Sequence, residues 1–471
     1  MRTADAGSAE ARVGADHTRH LKTVYKEKLM DDKTKTLTAA EAGYHVSDFL
    51  ISAKIPDENL FSVVSLFKGS CAALRFPDIL MLSAPEHLRT DSPAFQRFVK
   101  LGFIVNFDER AALEAMARGA CAFPGSVSLT ICPTMGCNFD CPYCFENHKS
   151  GKMSSAVQDD IAALAERMLD VSRAKSLSVT WFGGEPLLAP DVIESLSERL
   201  ISLAEKKGVK YSSEIITNGY LLDQKTADML DRMKVDHYQI TLDGIGVAHD
   251  ATRHLAGGGP TFERITKNLR SVKIRGHINI RHNVHAGNLS EIEKLRALID
   301  EIAKESGNDL EYYTSPVTDS PAAEKRGKQV DLLCGSDESE IGLMRHIGDL
   351  SQAKGHYCGA NNLWCIGIDD QGRLNKCWED SDKSEHCFGT AAKWDPADPL
   401  NTADHPDMLT AYINTSGVLD DPECRKCVWL PLCRGGCPHK RLFRKRECLS
   451  FKGDPETFAL KVYEARKKRN S

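Results

Sequence analysis

The stretch Cys137-Asn138-Phe139-Asp140-Cys141-Pro142-Tyr143-Cys144 constrains this chain more than any other. Three thiols spaced C-x3-C-x2-C reach three corners of an iron–sulfur cube and leave the fourth iron without a protein ligand. An iron left open in that way can bind a cofactor. Two other readings stay open on these residues alone: a zinc knuckle completed by His148, and three buried structural cysteines.

The chain holds 16 cysteines, and no apolar centre of a signal peptide precedes them between Met1 and His20. No apolar run is long enough to cross a bilayer, so the expected location is the cytoplasm, where structural disulfides are rare. Metal ligation is the better use for clustered thiols. Beyond the opening triad, Cys358, Cys365, Cys377, Cys424, Cys427, Cys433, Cys437 and Cys448 form a second field. Cys71, Cys121, Cys132, Cys334 and Cys387 are read as ordinary small side chains. A formal net charge of -5, with 27% charged residues, argues against nucleic acid or a membrane surface as partner.

At 471 residues the chain needs several cores. Residues 1–40 lack a sustained apolar period and are expected to be a disordered leader. Residues 41–122 form a small mixed α+β unit. Its strands are expected at 48–55, 60–67 and 103–106, and its helices at 76–83, 93–101 and 109–118. From residue 123 to 320 apolar strand-like runs alternate with amphipathic helices, the pattern of parallel βα units. Strands are expected at 126–132, 177–182, 212–217, 237–242, 278–284 and 310–314. The helices fall at 156–169, 192–206, 223–233, 261–275 and 289–304. Six such units give an α/β fold, a partial (β/α)6 TIM-like barrel whose chemistry gathers at the carboxyl ends of the strands. A linker is expected over 321–355, a cysteine-rich domain over 356–452, and a C-terminal helix over 453–471 with a solvated basic end.

At those strand ends stand Trp181-Phe182-Gly183-Gly184-Glu185-Pro186, Thr217-Asn218-Gly219 and Thr241-Leu242-Asp243-Gly244, followed by Asp250 and Arg253 and then Arg281, Asn283 and Asn288. The two glycines bring backbone groups close to a ligand, and Glu185 can accept hydrogen bonds from an ammonium group. Thr217, Asn218 and Asp243 read equally well as turn formers. Over residues 126–314 these motifs, together with the cysteine triad, resemble the radical S-adenosylmethionine (radical SAM) superfamily. The resemblance implies a SAM-binding 4Fe–4S cluster on Cys137, Cys141 and Cys144. It implies SAM contacts from Tyr143, Gly183, Gly184, Glu185, Asn218, Thr241, Arg253 and Asn283, with Gly184 and Glu185 at the methionyl amine, Thr241 near the ribose and Arg253 near the carboxylate. It also implies release of a 5'-deoxyadenosyl radical that abstracts a substrate hydrogen.

The second field runs from Cys358 through Gly372 to Cys377, then Cys424-x2-Cys427-x5-Cys433-x3-Cys437, then Cys448. It resembles the SPASM pattern of peptide-modifying radical enzymes, with Cys365 as an eighth thiol. By family analogy one auxiliary 4Fe–4S cluster takes Cys358, Cys365, Cys377 and Cys437, and the other takes Cys424, Cys427, Cys433 and Cys448, for three clusters in all. A zinc ribbon on Cys424, Cys427, Cys433 and Cys437 is the competing reading. Residues 41–122 resemble, in pattern only, the winged-helix peptide-recognition elements of such enzymes; a plain covering subdomain is the alternative.

In anaerobic sulfatase-maturating enzymes an Asp base directly follows the cysteine that matches Cys377. Here Trp378 takes that place and cannot accept a proton, while Glu379 and Asp380 follow as candidate catalytic bases, with Tyr312 and Tyr313 as lesser candidates. The expected function is therefore maturation of a ribosomal precursor peptide by a thioether or carbon–carbon crosslink. The leader of that peptide would dock on the N-terminal domain, and a flavodoxin or ferredoxin would supply electrons. Sulfatase-type protein oxidation and a non-catalytic zinc-binding protein are the alternatives.

Overall fold

The structure, a computed structural model, describes residues 37–122, 125–319, 321–334, 342–343, 346–347, 350 and 357–470. The expected leader therefore lies, up to residue 36, outside the described residues, as do 335–341, 344–345, 348–349 and 351–355 of the expected linker. Ala39 is fully buried, and its amide donates to the Leu88 carbonyl at 2.7 Å.

The N-terminal unit begins with β1 (His45–Val46), which pairs antiparallel with β5 (Ile104–Val105). Between them β2 (Leu50–Lys54), β3 (Leu60–Ser65) and β4 (Ser70–Arg75) make a three-stranded antiparallel sheet in that order. Strand β4 was not expected: Ser-Cys-Ala-Ala-Leu-Arg shows neither alternation nor β-branching, and its pairing with β3 supplies what local propensity lacks. One face of the sheet packs on the helices Phe76–Ser83 and Pro93–Leu101 through Val63, Leu74, Leu82, Phe95 and Phe98. The second helix starts where the Ser92 hydroxyl accepts the Phe95 amide and Pro93 takes the first turn.

The other face, through Phe49, Ile51, Ala53 and Val64, meets Phe458, Ala459 and Val462 of the C-terminal helix Pro455–Asn470. Ser62 donates to the Ala459 carbonyl at 2.8 Å. The basic end of that helix does more than face solvent. Arg466 donates to the Gly69 carbonyl at 2.7 Å and to the Cys71 carbonyl at 3.4 Å, and Lys467 pairs with Glu58 at 3.1 Å.

The central sheet runs β11-β10-β9-β8-β7-β6-β12-β13-β14. Its strands are β6 (Val127–Ile131), β7 (Ser176–Trp181), β8 (Lys210–Thr217), β9 (Val235–Thr241), β10 (His277–Val284) and β11 (Leu310–Pro316), every neighbouring pair parallel. Helices Ser155–Ser172, Pro190–Lys207, Gln224–Arg232, Phe262–Ser271 and Ile292–Ser306 alternate with them, as the apolar periodicity requires. Their buried faces, including Ile161, Leu196, Leu230, Ile265 and Ile299, join Leu129, Val179, Ile215, Ile240 and Ile280 in one core.

Past β6 the sheet continues into the cysteine-rich region. Strand β12 (Cys365–Ile368) lies parallel to β6, and β13 (Arg373–Asn375) and β14 (Gly389–Thr390) follow antiparallel. Sequence patterning gave no sign of these short strands, because Cys, Gly and Asn interrupt their alternation. Cys365 is thereby registered against Ser128, so the second cysteine field is pinned to the first strand of the βα units.

Candidate active site and cysteine quartets

All six parallel strands end on one cavity of about 300 Å3. The loop after β6 brings Cys137, Cys141 and Cys144 to its wall, with Phe139, Tyr143 and Phe145 between and beyond them. The loop after β7 brings Phe182, Gly183 and Gly184, while β8 brings Thr217 and Asn218. Thr241 from β9, Arg281 and Asn283 from β10, and residues 316–319 after β11 complete that side. Trp378 and Glu379, from the turn after Cys377, close the far side. The cavity therefore collects the expected residues except Glu185 and Asp380, and neither Tyr312 nor Tyr313 lines it.

Burial pushes the free thiols up, Cys137 to about 12 despite the amide donated by Phe139, and Cys141 in the same direction. A metal that binds here must displace protons, as thiolate ligation always does. His148 also borders the cavity, its Nε2 3.5 Å from Cys144 Sγ.

The two glycines are required by packing. A Cβ on Gly184 would stand 2.3 Å from the Gly136 carbonyl oxygen, and one on Gly183 would stand 2.4 Å from that of Thr134. Both glycines let the β7 loop lie directly on the loop that carries the triad, and the Glu185 amide then donates to the Gly136 carbonyl at 2.8 Å. The Glu185 side chain stands behind the cavity wall. Its Oε1 accepts from Leu187 N at 3.0 Å and Thr217 Oγ1 at 2.7 Å, and its Oε2 accepts from Asn218 N at 2.7 Å. With no exposed surface, this carboxylate binds the β7 loop to the β8 loop.

A network that the sequence did not reveal sits beside the triad. Tyr143 donates its hydroxyl to Asp243, while the Tyr143 hydroxyl oxygen accepts from Arg253 Nη1 and Asn283 Nδ2 at 2.9 and 3.2 Å. Asp243 also accepts the Asn283 amide at 3.0 Å, so the Asp-Gly turn carries a fully buried carboxylate that joins β9, β10 and the triad loop. Burial opposes the charge on Arg253, but Tyr143, Cys141 and Asp243 hold its pKa above the ordinary value. Its Nε is buried and has no hydrogen-bond partner among the described residues. A buried cationic donor, unpartnered and beside three open thiols, fits the carboxylate end of an amino-acid ligand.

Opposite lies an aromatic wall. The Phe182 ring stacks 6.3 Å from Phe145 and lies 5.2 Å from Trp378, which remains 42% exposed. Glu379 faces the cavity but pairs with Arg444 at 3.1 Å. Asp380 points elsewhere. Fully buried, it accepts from His386 Nδ1 at 2.6 Å, from His439 Nε2 at 3.1 Å and from the Tyr412 hydroxyl. Burial alone would raise its pKa, but those hydrogen bonds, His439 first, bring it down to about 2. It has no free face toward a substrate, so of the two candidate bases only Glu379 reaches the cavity.

The eight thiols of the second field separate into two groups. Cys424, Cys427, Cys433 and Cys448 line one small cavity. Cys358 lies in the electrostatic field of Cys437 and Cys365, and Cys377 in that of Cys358. The His439–Asp380 bond couples the segments after Cys437 and Cys377. Four thiols around one space are a donor set that suits a fully ligated 4Fe–4S cluster.

Residues 131–302 match the family model of the radical SAM superfamily, whose domains hold a 4Fe–4S cluster and SAM. Pre-heme d1 synthase of Dinoroseobacter shibae is 28% identical over 224 residues, 47% of this chain and 51% of that protein. PqqA peptide cyclase of Gluconobacter oxydans is 27% identical over 170 residues, 36% of this chain and 44% of that protein. The chain thus spans about half the length of these curated relatives or less. A cysteine-type anaerobic sulfatase-maturating enzyme of Clostridium perfringens is 23% identical over 350 residues, 66% of this chain and 88% of that protein. The solved structure of native anSMEcpe with bound AdoMet and Cp18Cys peptide aligns with a TM-score of 0.54 at 21% identity, covering 72% of this chain and 97% of that one, a likeness of fold. Triad, strand order and family model agree that the chain carries a domain of the radical SAM superfamily of enzymes over residues 131–302.

Proposed function

We propose that this chain is a radical SAM peptide maturase that crosslinks side chains of a ribosomal precursor peptide. Bound together, the open-cornered 4Fe–4S cluster and SAM supply a 5'-deoxyadenosyl radical able to take a hydrogen atom from the substrate. The protein's own part is to hold both. Cys137, Cys141 and Cys144 would carry the cluster, and Arg253, fixed by Tyr143 with Asp243 and Asn283, would hold the SAM carboxylate. The carbonyls of Gly183 and Gly184 would take the amine, and Thr241 and Asn218 would face the rest of the nucleoside. The Phe145, Phe182 and Trp378 wall would bound the reacting centre on its far side.

The observation that carries the reading is the grouping of eight further thiols into two sets of four, one of them adjoining the cavity through Cys377-Trp378. Crosslinking releases electrons, and two fully ligated 4Fe–4S clusters would relay them, exchanging electrons with a flavodoxin or ferredoxin. The relatives include a PqqA peptide cyclase, which supports a peptide substrate. The free edge of β2 supports strand addition by a leader peptide: the carbonyls on the outer side of β4 are taken by Arg97 at Ala73 and Arg466 at Cys71, whereas β2 pairs only with β3 among the described residues.

Anaerobically reconstituted protein given SAM, reductant and the precursor peptide encoded beside it should remove two hydrogen atoms per crosslink. Unchanged peptide mass with every neighbouring precursor would refute the reading. A second reading, oxidation of a protein side chain, is favoured by the sulfatase-maturating relative and by Glu379 at the cavity. Formylglycine in a co-expressed sulfatase would establish it. Iron and sulfide analysis separates both from a zinc-binding protein, which would contain neither.

A further inference from the structure

Lys376, directly before Cys377, is 4% exposed. Its ammonium donates to the carbonyl of Asn362 at 2.5 Å and to that of Cys365. Among the described residues no carboxylate pairs with it; the ionisable groups facing it are the thiols of Cys365, Cys358 and Cys121. A buried ammonium with carbonyl acceptors and no counter-anion is costly, and the site becomes favourable only if an anion lies among those sulfurs. Neutral thiols do not meet that need. Four thiolates around a metal centre do, because they leave the assembly with net negative charge.

The second quartet is different. Arg441 and Arg446 lie 3.7 Å from Cys424 Sγ, and Lys452 lies 3.8 Å from Cys448 Sγ. Arg446 is neutralised by Asp421 and Glu423, and Arg441 by Asp421 at 3.6 Å. Lys452 has no carboxylate partner among the described residues, but it is exposed to water, which screens its charge; Cys448 and, in the first quartet, Cys358 are exposed as well, whereas Lys376 is buried. A buried cation without a carboxylate partner beside one quartet, against paired arginines and a water-exposed lysine beside the other, should separate the two clusters in reduction potential, since charge and solvation around the sulfurs set that quantity.

We infer that Lys376 is a positioning charge that makes the cluster held by Cys358, Cys365, Cys377 and Cys437 the more readily reduced of the two auxiliary clusters. The inference rests on the two-cluster reading above. Reduction adds one electron to the cluster, with no bond made or broken, and the ammonium stabilises the added negative charge. Because Cys377-Trp378 reaches the cavity, the cluster nearest the substrate would be the first to accept an electron leaving it.

The test is a dithionite redox titration followed by electron paramagnetic resonance. It uses the full-length chain with Cys137, Cys141 and Cys144 replaced by alanine, so that only auxiliary signals remain. About eight irons per chain and two separable midpoints are expected. Lys376→Met should lower the higher midpoint and leave the other in place, and Lys376→Arg at the same iron content should keep the separation. A Lys376→Met or Lys376→Gln protein with full iron and unmoved midpoints would overturn the inference while leaving two auxiliary clusters intact. So would an arginine variant that loses the separation. Iron near four per chain, with a single auxiliary signal, would overturn the two-cluster reading and the inference with it.

Discussion

Replacing Glu185 by glutamine asks whether this carboxylate touches a ligand or holds the wall behind it. Three donors converge on it: Leu187 N and Thr217 Oγ1 on one oxygen, and Asn218 N on the other. The amide of Glu185→Gln can keep the two bonds on Oε1 only by turning its NH2 toward Asn218 N. One hydrogen bond to a charged group is then lost, about 1.5–3 kcal/mol, and two donors face each other. Since every 1.4 kcal/mol is tenfold, the Asn218 amide should open about 10- to 150-fold more often. Hydrogen–deuterium exchange of the ligand-free protein, resolved on the segment around Asn218, reads this directly. Leu187 should change much less, because its acceptor survives. Unchanged exchange at Asn218 together with weakened SAM binding would refute the reasoning, since Glu185 would then act on the ligand and not on the β8 loop.

Three further outcomes follow from the same geometry. Gly184→Ala places a methyl 2.3 Å from a backbone oxygen, and the protein should lose about four irons from the triad while the auxiliary iron remains, measured by metal analysis. Asp380→Asn removes the charge that His386, His439 and Tyr412 share; on the order of 3 kcal/mol is lost and auxiliary iron should be released faster to a chelator. Burial, and after it Asp382, pushes Glu146 up to about 8, so the folded protein holds a proton that the unfolded chain gives up near 4.5. Its contribution is thus complete below about 4.5 and lost as pH rises through about 8; Glu146→Gln should flatten the stability profile across that window in thermal melts.

How much was legible in the sequence follows from what each feature depends on. The parallel strands and their helices were readable because buried strands and amphipathic helices carry their own periods, and the triad because its ligands are close in sequence. The expected grouping of Cys358 with Cys437 came only from family resemblance, since 13 residues separate Cys358 from Gly372 and a longer gap precedes Cys424. Strands β4 and β12 to β14 were missed because tertiary pairing, not local pattern, makes them. Asp380 looked like a base because it follows Cys377 closely, yet the turn Trp378–Asp380 aims it inward at His439. The bond from Arg253 to Tyr143 spans 110 positions, and no local signal marks a contact of that kind. Asp243, read as a turn former, had the same signature as an ordinary Asp-Gly turn.

The central claim is that Cys137, Cys141 and Cys144 leave one metal corner vacant and that Arg253 and its partners seat a sulfonium nucleoside there. Its most direct test is release of 5'-deoxyadenosine, measured by liquid chromatography after anaerobic reconstitution and addition of SAM and dithionite. The account predicts release that disappears in Cys144→Ser at otherwise retained auxiliary iron. Protein with its full iron complement that releases none, or a Cys144→Ser variant that releases as much as the unaltered chain, would contradict it.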